Sequence, residues 1–406
     1  MKNTVLFLSV IVLAFPLTAQ THIQENLQEQ FILAENGSTI DLPEGRFDIG
    51  ATLWLDGKKD ITIRGAGMDK TILNFRDQTQ GAEGIKVTNS RNIVLEDLTT
   101  ENSRGDLIKT QKVDGITFRR VRTRWTGKPS KKNGAYGLYP VQCERVLIEE
   151  CVAHGASDAG IYVGQSNQIV VRNSVAYENV AGIEIENSTM VDVYGNEAYD
   201  NTGGILVFDL PGLIQKNGGN VRVYDNHIHH NNHKNFAPKG NTVGLVPPGT
   251  GVLILAASGV EVFRNRIEQN RSFSLGITSY HITENEITDE DYDPWTYDVY
   301  IHDNSFQREK MKPTLRSKLG LLLRLKYKKE VPHIIYDGIV NEEHLDASGN
   351  RRAGYEICIR ENENGTFGNL DAANGFEGLN RDVMPFRCER PALPASDLQE
   401  RLSDPK

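Results

Sequence analysis

Residues 146–171 read VLIEECVAHGASDAGIYVGQSNQIVV, and this stretch decides the fold. It begins with the aliphatic strand Val146-Leu-Ile148 and ends with a second one, Ile169-Val-Val171, and between them lies a strand at Ile161 that opens with glycine. Short strands rich in Val and Ile, without helical periodicity, indicate β-structure. The two aliphatic strands start 23 residues apart, a repeat length typical of one coil of a solenoid.

The same unit recurs eight times along the chain. Its first strands start 23, 30, 23, 22, 30, 39 and 39 residues apart, so a basic period of 22 to 23 is lengthened by insertions. These strands start at Ile93, Ile116, Val146, Ile169, Val191, Val221, Val260 and Val299. A companion strand lies eight residues earlier, at Ile85, Ile108, Leu138, Ile161, Ile183 and Val252, whereas Ile205 and Ile277 are displaced by polar insertions. We therefore predict an all-β parallel β-helix, a single-stranded solenoid with helical caps.

Asparagines mark the turns of this repeat. One set follows the first strands, at Asn173, Asn196, Asn226, Asn265 and Asn304, and another comes five or six residues later, at Asn179, Asn201, Asn231 and Asn270. Stacked asparagines can hydrogen-bond along the solenoid axis, and asparagine tolerates left-handed backbone geometry. We expect both sets to form ladders at tight turns.

The chain divides into five segments. Residues 1–19 carry Lys2 followed by an apolar run and small residues, which is typical of a secretory signal; an N-terminal apolar strand is the alternative. Residues 20–60 form an N-terminal cap, with an amphipathic helix, and the first coil, and 61–306 the β-helix. Residues 307–330 supply a helix over the last coil, or alternatively a helix that lies on a membrane surface. Residues 331–406 form a small disulfide-tied tail.

Composition limits the partners. The net charge of −9 argues against a nucleic-acid partner, and no apolar run after the signal approaches the length of a membrane span. We expect an exported, secreted or periplasmic monomer. Export permits a disulfide between Cys358 and Cys388, which bracket a glycine-rich tail, whereas Cys143 and Cys151 flank one strand and are expected to be buried thiols.

The Gly-Ile-x-Val and Asn-x-Val/Ile elements resemble the right-handed parallel β-helix superfamily. That superfamily includes pectate lyases, alginate lyases, alginate C5-epimerases and the periplasmic accessory protein of nitrous-oxide reductase. The tail motifs at residues 357–362 and 386–391 are more similar to a branch of exported bacterial β-helix repeat proteins. The resemblance implies a right-handed helix with a long outer surface.

Residues 136–140, Tyr-Gly-Leu-Tyr-Pro, resemble the Tyr-Gly-hydrophobic-Asp-Pro-His segment of alginate epimerases. In those enzymes the segment lies on an outward strand and supplies acid/base residues. Here Tyr139 stands at the Asp position and Val141 at the His position. These two departures remove groups on which the epimerase reaction depends.

Side chains alternate along a strand, so the residue after each companion-strand aliphatic should face solvent. That outward column reads Lys86, Lys109, Tyr139, Tyr162, Glu184, Leu206 and Leu253. Lysines can bind uronate carboxylates, tyrosines can stack on sugars, and a tyrosine with a lowered pKa can move a proton at the sugar C5. We assign catalysis to Tyr139, His154, Asp158 and Tyr162 and substrate binding to Lys86, Lys109, Lys131, Lys132 and Glu184. The alternative is a soluble strand surface with Asp158 capping a turn.

Two further clusters of residues could bind a metal ion. His227 and His229 share one strand face, so a His-bound transition metal is chemically reasonable, but no acidic partner is near in sequence. The acidic stretch at residues 289–293 could bind Ca²⁺, although it lacks the spacing of a known calcium loop. We expect neither to be required and predict no cofactor.

The leading hypothesis is therefore an exported protein that binds or modifies acidic polysaccharide, as a uronate lyase or epimerase would if it is an enzyme. The alternative is a non-catalytic periplasmic accessory or scaffold protein, with a possible link to metal. The sequence does not choose the polymer, the linkage, or catalysis over binding.

Overall fold

The computed structural model of the chain describes residues 26–399. Its strands pair in parallel into one sheet of nineteen strands and one of eleven. The larger sheet bends into two faces, because Arg91–Glu101 pairs through its start with Lys59–Arg64 and through its end with Thr71–Asn74. Each coil therefore contributes three strands in turn, which defines a parallel β-helix with a first, a second and a third face.

The strands of the three faces have the following bounds. The first face comprises Thr39–Asp41, Lys59–Arg64, the starts of Arg91–Glu101 and Asp114–Arg124, Glu144–Glu149, Asn167–Arg172, Thr189–Tyr194, Gly219–Tyr224, Val260–Phe263, Val299–His302 and Ile357–Arg360. The second face comprises Gly45–Asp48, Thr71–Asn74, the ends of the two long strands, Val152–His154, Val175–Tyr177, Glu197–Tyr199, His227–His229, Arg266–Glu268 and Ser305–Gln307. The third face comprises Ala51–Asp56, Gln80–Thr88, Ile108–Gln111, Tyr136–Val141, Ala159–Gly164, Ala181–Glu186, Gly203–Phe208, Thr250–Leu255, Phe273–Thr278, Ile334–Tyr336 and Phe367–Asn369.

The predicted register is confirmed along the first face. The eight aliphatic residues from Ile93 to Val299 pair one above another in successive coils. On the third face Ile161 pairs with Ile183, and Ile183 with Ile205. Ile277 was assigned to the wrong position, because Leu275 is the partner of Val252. These residues are buried and form one continuous core.

The asparagine ladders are confirmed with one exception. Side-chain amides bond from coil to coil along Asn196, Asn226, Asn265, Asn304 and Asn362, and along Asn179, Asn201, Asn231 and Asn270. Asn173 was wrongly included, because Ser174 takes the ladder position and its N–H donates to Asn196 Oδ1 at 2.9 Å. The left-handed residue is the one before the ladder, as at Asp225 with φ 53°, and not the asparagine.

The helices at residues 26–33 and Lys318–Tyr327 pack differently. Residues 26–33 are helical and bury Leu27 and Phe31 against the core, whereas Ile32 is 58% exposed. The helix Lys318–Tyr327 begins where Ser317 Oγ accepts from the Gly320 N–H at 2.9 Å. It was expected over the last coil. Its Leu323 instead packs in the apolar cluster on the outer side of the third face, because the outward residues there are themselves apolar.

The array continues beyond residue 306. Ile334–Tyr336, Ile357–Arg360 and Phe367–Asn369 add further strands to the sheets, so the segment after residue 331 is not a separate appendage. Phe386 packs on Phe367 at the end of the core, with ring centroids 4.8 Å apart. Residues downstream then run back along the outer side of the first face, where the N–H of Ser396 donates to Asp192 Oδ2 at 2.8 Å.

Both predictions about the cysteines are confirmed. Cys358 and Cys388 form a disulfide. Cys143 and Cys151 are buried free thiols, and burial raises the pKa of Cys143 to about 11 and that of Cys151 to about 12. The predicted signal, residues 1–19, lies outside the described residues. None of the helices within residues 26–399 is both long and apolar enough to cross a membrane.

Candidate functional site

The predicted outward column exists on the third face. Lys86 pairs with Lys109 and Lys109 with Tyr139 in successive coils. Farther along the axis Tyr162 pairs with Glu184, and Glu184 with Leu206. The five polar residues of the column therefore form one row along the helix axis.

The column is only partly open to solvent, which corrects the expectation of a solvent-facing surface. Lys86, Lys109 and Tyr139 are half-buried, whereas Tyr162 and Glu184 are each 3% exposed. From the coil of Tyr162 onward, the insertion at residues 232–249 and the helix Lys318–Tyr327 cover the outer side and bury it in a second apolar cluster. The alternation of outward side chains was read correctly, but outward positions as apolar as Leu206 and Leu253 need a cover.

Three tyrosines meet at the boundary between the open and the covered part. The ring centroids of Tyr136 and Tyr139 are 4.4 Å apart, those of Tyr136 and Tyr162 4.5 Å, and those of Tyr139 and Tyr162 5.0 Å. The Tyr162 hydroxyl donates to Glu186 Oε1 at 2.6 Å. Burial raises the pKa of Tyr139 to about 12 and that of Tyr162 well above 10. The lowered tyrosine pKa expected for proton transfer is therefore wrong for Tyr139, whose phenol stays protonated.

Three carboxyl groups lie under the cover. Burial raises the pKa of Asp158 to about 7, although its Oδ2 accepts from Asn241 Nδ2 at 2.9 Å. Burial, Asp158 and Glu186 raise the pKa of Glu184 well above its ordinary value, and one Glu184 oxygen has no hydrogen-bond partner. Burial also raises the pKa of Glu186. The protein thus holds carboxyl protons here near neutral pH.

The carboxyl of Asp106 and the ammonium of Lys109 lie beside the three tyrosines, on the side where the third face is open to solvent. Burial raises the pKa of Asp106 to about 6, against the opposing effects of Lys109 and of the Tyr136 N–H, which donates to Asp106 Oδ1 at 3.2 Å. The ammonium of Lys109 lies 4.8 Å from the centroid of the Tyr139 ring. Asp106 was missed by the sequence analysis, although its place two residues before Ile108 marks it as the entrance to a third-face strand.

Trp54 extends the open row by one coil. It pairs with Lys86 and is 49% exposed, and the Lys86 ammonium lies 5.7 Å from the centroid of its ring. The indole N–H donates to Thr88 Oγ1 at 2.8 Å, which fixes the ring. Trp54 was not among the predicted site residues. Leu53 lies eight residues before Ile61, so the companion-strand rule applied one coil earlier would have found Trp54.

The remaining predicted site residues lie elsewhere. His154 is on the second face, where its Nε2 lies 2.8 Å from Glu178 Oε2 and its ring packs against Tyr177. Lys131 and Lys132 are exposed in the insertion at residues 126–134. The cover over Asp158 includes residues 232–249, whose Asn241 side chain donates to Asp158 Oδ2, a contact that the sequence did not predict.

The comparisons with known proteins agree with this architecture. Residues 60–212 match the family described as "Right handed beta helix region", and no curated protein matches the chain. The A-module of a mannuronan C-5 epimerase from Azotobacter vinelandii superposes with a TM-score of 0.51 at 17% identity, over 85% of this chain and 90% of that one. An exopolygalacturonase from Thermotoga maritima gives a TM-score of 0.48 at 13% identity, over 72% and 83% of the two chains. At these identities the likeness shows the fold alone.

Proposed function

We propose that this right-handed parallel β-helix binds and modifies a uronate-containing polysaccharide on the open part of its third face. The observation that carries the proposal is that three kinds of group lie close enough to influence one another at one accessible place. Lys109 supplies a cation, Asp106 a carboxyl whose pKa lies near 6, and Tyr139 a protonated phenol. A cation, a base and an acid are what proton transfer next to a sugar carboxylate requires.

Each group takes one role in the reaction. Lys109 binds the uronate carboxylate and stabilises the negative charge that develops when the C5 proton leaves. Asp106 accepts that proton. In β-elimination the bond between C4 and its oxygen then breaks, the C4–C5 double bond forms, and Tyr139 or Tyr136 donates a proton to the departing oxygen. In epimerisation the bond to the C4 oxygen stays intact, and the Tyr139 phenol instead donates a proton to C5 from the opposite side.

The open row next to Lys109 gives the polymer its path. Successive coils of a β-sheet lie about 4.8 Å apart, so Trp54, Lys86 and Lys109 offer contacts along roughly 10 Å of chain. Trp54 provides a flat apolar surface, and Lys86 a second cation for a neighbouring carboxylate. The A-module that superposes on this chain belongs to a mannuronan epimerase, which is consistent with an acidic sugar.

The covered residues act behind the reacting groups in this proposal. Asp158 binds the insertion at residues 232–249 through Asn241, and Tyr162 packs against both Tyr136 and Tyr139. They position the tyrosines and keep water from the rear of the site. Export of the protein is part of the proposal, and the Cys358–Cys388 disulfide supports it because disulfides persist in oxidising compartments.

The test is a panel of uronate polymers assayed for unsaturated products by ultraviolet absorbance and for C5 inversion by NMR. We expect Asp106→Asn to lower turnover by about 10²- to 10⁴-fold, the usual contribution of a general base, while binding persists. The matched control is Asp114→Asn on the first face, whose carboxylate pairs with Arg145 at 2.9 Å and should leave turnover unchanged. Equal turnover in Asp106→Asn and wild type would overturn the assignment.

A second function is favoured by the cover over the third face. Tyr162 and Glu184 are buried, so only the first coils of the row are open to a polymer. A short open row suits a non-catalytic binding or accessory protein. Binding of a uronate oligomer that is weakened by Lys109→Ala, with no turnover of any polymer in the panel, would establish this function instead.

A further inference from the structure

We propose that Glu197, His227 and His229 bind one divalent transition-metal ion, with Zn²⁺ as the best fit. Within residues 26–399 this is the one group of three or more potential ligand side chains whose donor atoms all lie within 4.8 Å of one another. The group lies on the second face. It is therefore independent of the polysaccharide site proposed above.

The β-helix brings the three side chains together. His227 and His229 are two residues apart on one strand, so both project from the same side of the sheet. Glu197 lies directly opposite His227 on the preceding coil. This is the acidic partner that the local sequence around the histidines lacks, because it comes from 30 residues upstream.

The donor atoms already converge. Glu197 Oε1 lies 3.1 Å from His229 Nε2 and 3.7 Å from His227 Nδ1. Ligands around a tetrahedral Zn²⁺ at about 2.0 to 2.1 Å are separated by roughly 3.3 Å, so the ion needs only small adjustments of these side chains. Two imidazoles and one carboxylate are a ligand set that suits Zn²⁺ and leaves a fourth position open.

The Nε2 nitrogen of His227, which would not bind the ion, has the kind of hydrogen-bond partner that metal-binding histidines require. His227 Nε2 lies 2.9 Å from Glu268 Oε2 on the following coil, so the imidazole can donate its N–H there and present Nδ1 to the ion. The ring of His229 stacks on Tyr199, with centroids 5.3 Å apart and planes 6° from parallel. Both imidazoles are thus oriented by neighbours that do not bind the ion.

One group must move for the ion to enter. The Arg266 guanidinium lies 2.9 Å from His227 Nδ1, and its side chain is 58% exposed. An exposed arginine can turn into solvent at little cost, because the contact it gives up is not buried. Arg266→Ala should therefore strengthen metal binding rather than weaken it.

The test uses the full-length, chelator-treated protein titrated with Co²⁺, followed by visible absorption, and then with Zn²⁺ in a calorimeter. We expect one ion per chain, an affinity lowered at least 100-fold by His229→Gln, and one lowered 10- to 100-fold by Glu268→Gln, which removes the carboxylate that supports His227 and also pairs with Arg266. The matched control is His302→Gln, since His302 pairs with Glu261 at 3.0 Å but has Asn304 where a second histidine would stand. Less than one ion per chain in wild type, or the same affinity in His229→Gln, would overturn the proposal.

Discussion

Glutamates are buried on two faces of this β-helix, but their pKa values shift in opposite directions. Glu149 on the first face is 6% exposed, and Glu184 on the third face is 3% exposed. Burial alone would raise the pKa of Glu149, but hydrogen bonds from Arg172 and Arg119 outweigh it and lower that pKa. Glu184 has only Asp158 and Glu186 as charged neighbours, and its pKa rises.

The first and third faces differ in whether their buried charges have partners of opposite sign. On the first face Glu96, Arg119, Glu149 and Arg172 alternate in sign from coil to coil, so every charge has a partner above or below it. On the third face the buried carboxyls and phenols have no cation among them, and the first cation along the row is Lys109. Compensated charges stabilise a coil stack, whereas uncompensated buried carboxyls keep protons at neutral pH and so suit proton transfer. This contrast agrees with the proposal that the third face carries the function, whereas the ion pairs of the first face stabilise the coil stack.

The largest effect is predicted for a substitution that removes one of the compensating charges on the first face. Arg172→Met should lower the free energy of unfolding by about 2–3 kcal/mol, because it leaves Glu149 buried with only Arg119 as a partner. Glu184→Gln should leave that free energy unchanged or raise it at pH 7, because Gln does not have to take up the proton that Glu184 binds on folding. Urea denaturation of both variants measures the difference, and equal destabilisation would contradict the comparison.

How far the sequence predicts these faces depends on what sets each feature. Period, register and core follow from Val and Ile at fixed spacing, so the column from Ile93 to Val299 was predictable. The depth of burial on the outer side of the third face was not predictable, because it depends on where residues 232–249 and the helix Lys318–Tyr327 fold back. Asp106 and Glu197 reach their neighbours only through the stacking of coils, which a local motif cannot reveal.

The second predicted effect uses pH. The pKa of Asp158 is about 7 in the folded protein and near 3.9 when unfolded, so its contribution to stability falls as pH rises through that window. Glu149 has a lowered folded pKa, so its contribution is lost only in acid below its unfolded value of about 4.3. Hydrogen exchange corrected for intrinsic rate should show Ala159–Gly164 losing up to about 100-fold protection between pH 5 and 8, while Glu144–Glu149 stays constant. A parallel response of both strands would refute the distinction.

The smallest predicted effect separates the open part of the third face from the covered part. Trp54→Ala should weaken binding of a uronate oligomer by about 1 kcal/mol, or roughly fivefold, the size of one aromatic contact. Trp295→Ala is the control, since Trp295 lies in the insertion at residues 281–298 against His281 and away from the row. Tryptophan fluorescence should respond to the oligomer in wild type and not in Trp54→Ala. A loss of affinity in the control alone would place the binding surface elsewhere.

The central claim is that Asp106 acts as the base on the third face, and the pH dependence of turnover tests it most directly. Asp106 must lose its proton to accept one from the sugar, so the rate should rise as pH increases through about 6 and then level off. The phenol of Tyr139 stays protonated up to about pH 12 and adds no fall below that. We expect this rise in wild type and its disappearance in Asp106→Asn. A rate that falls between pH 5 and 7, or the same rise in both proteins, would contradict it.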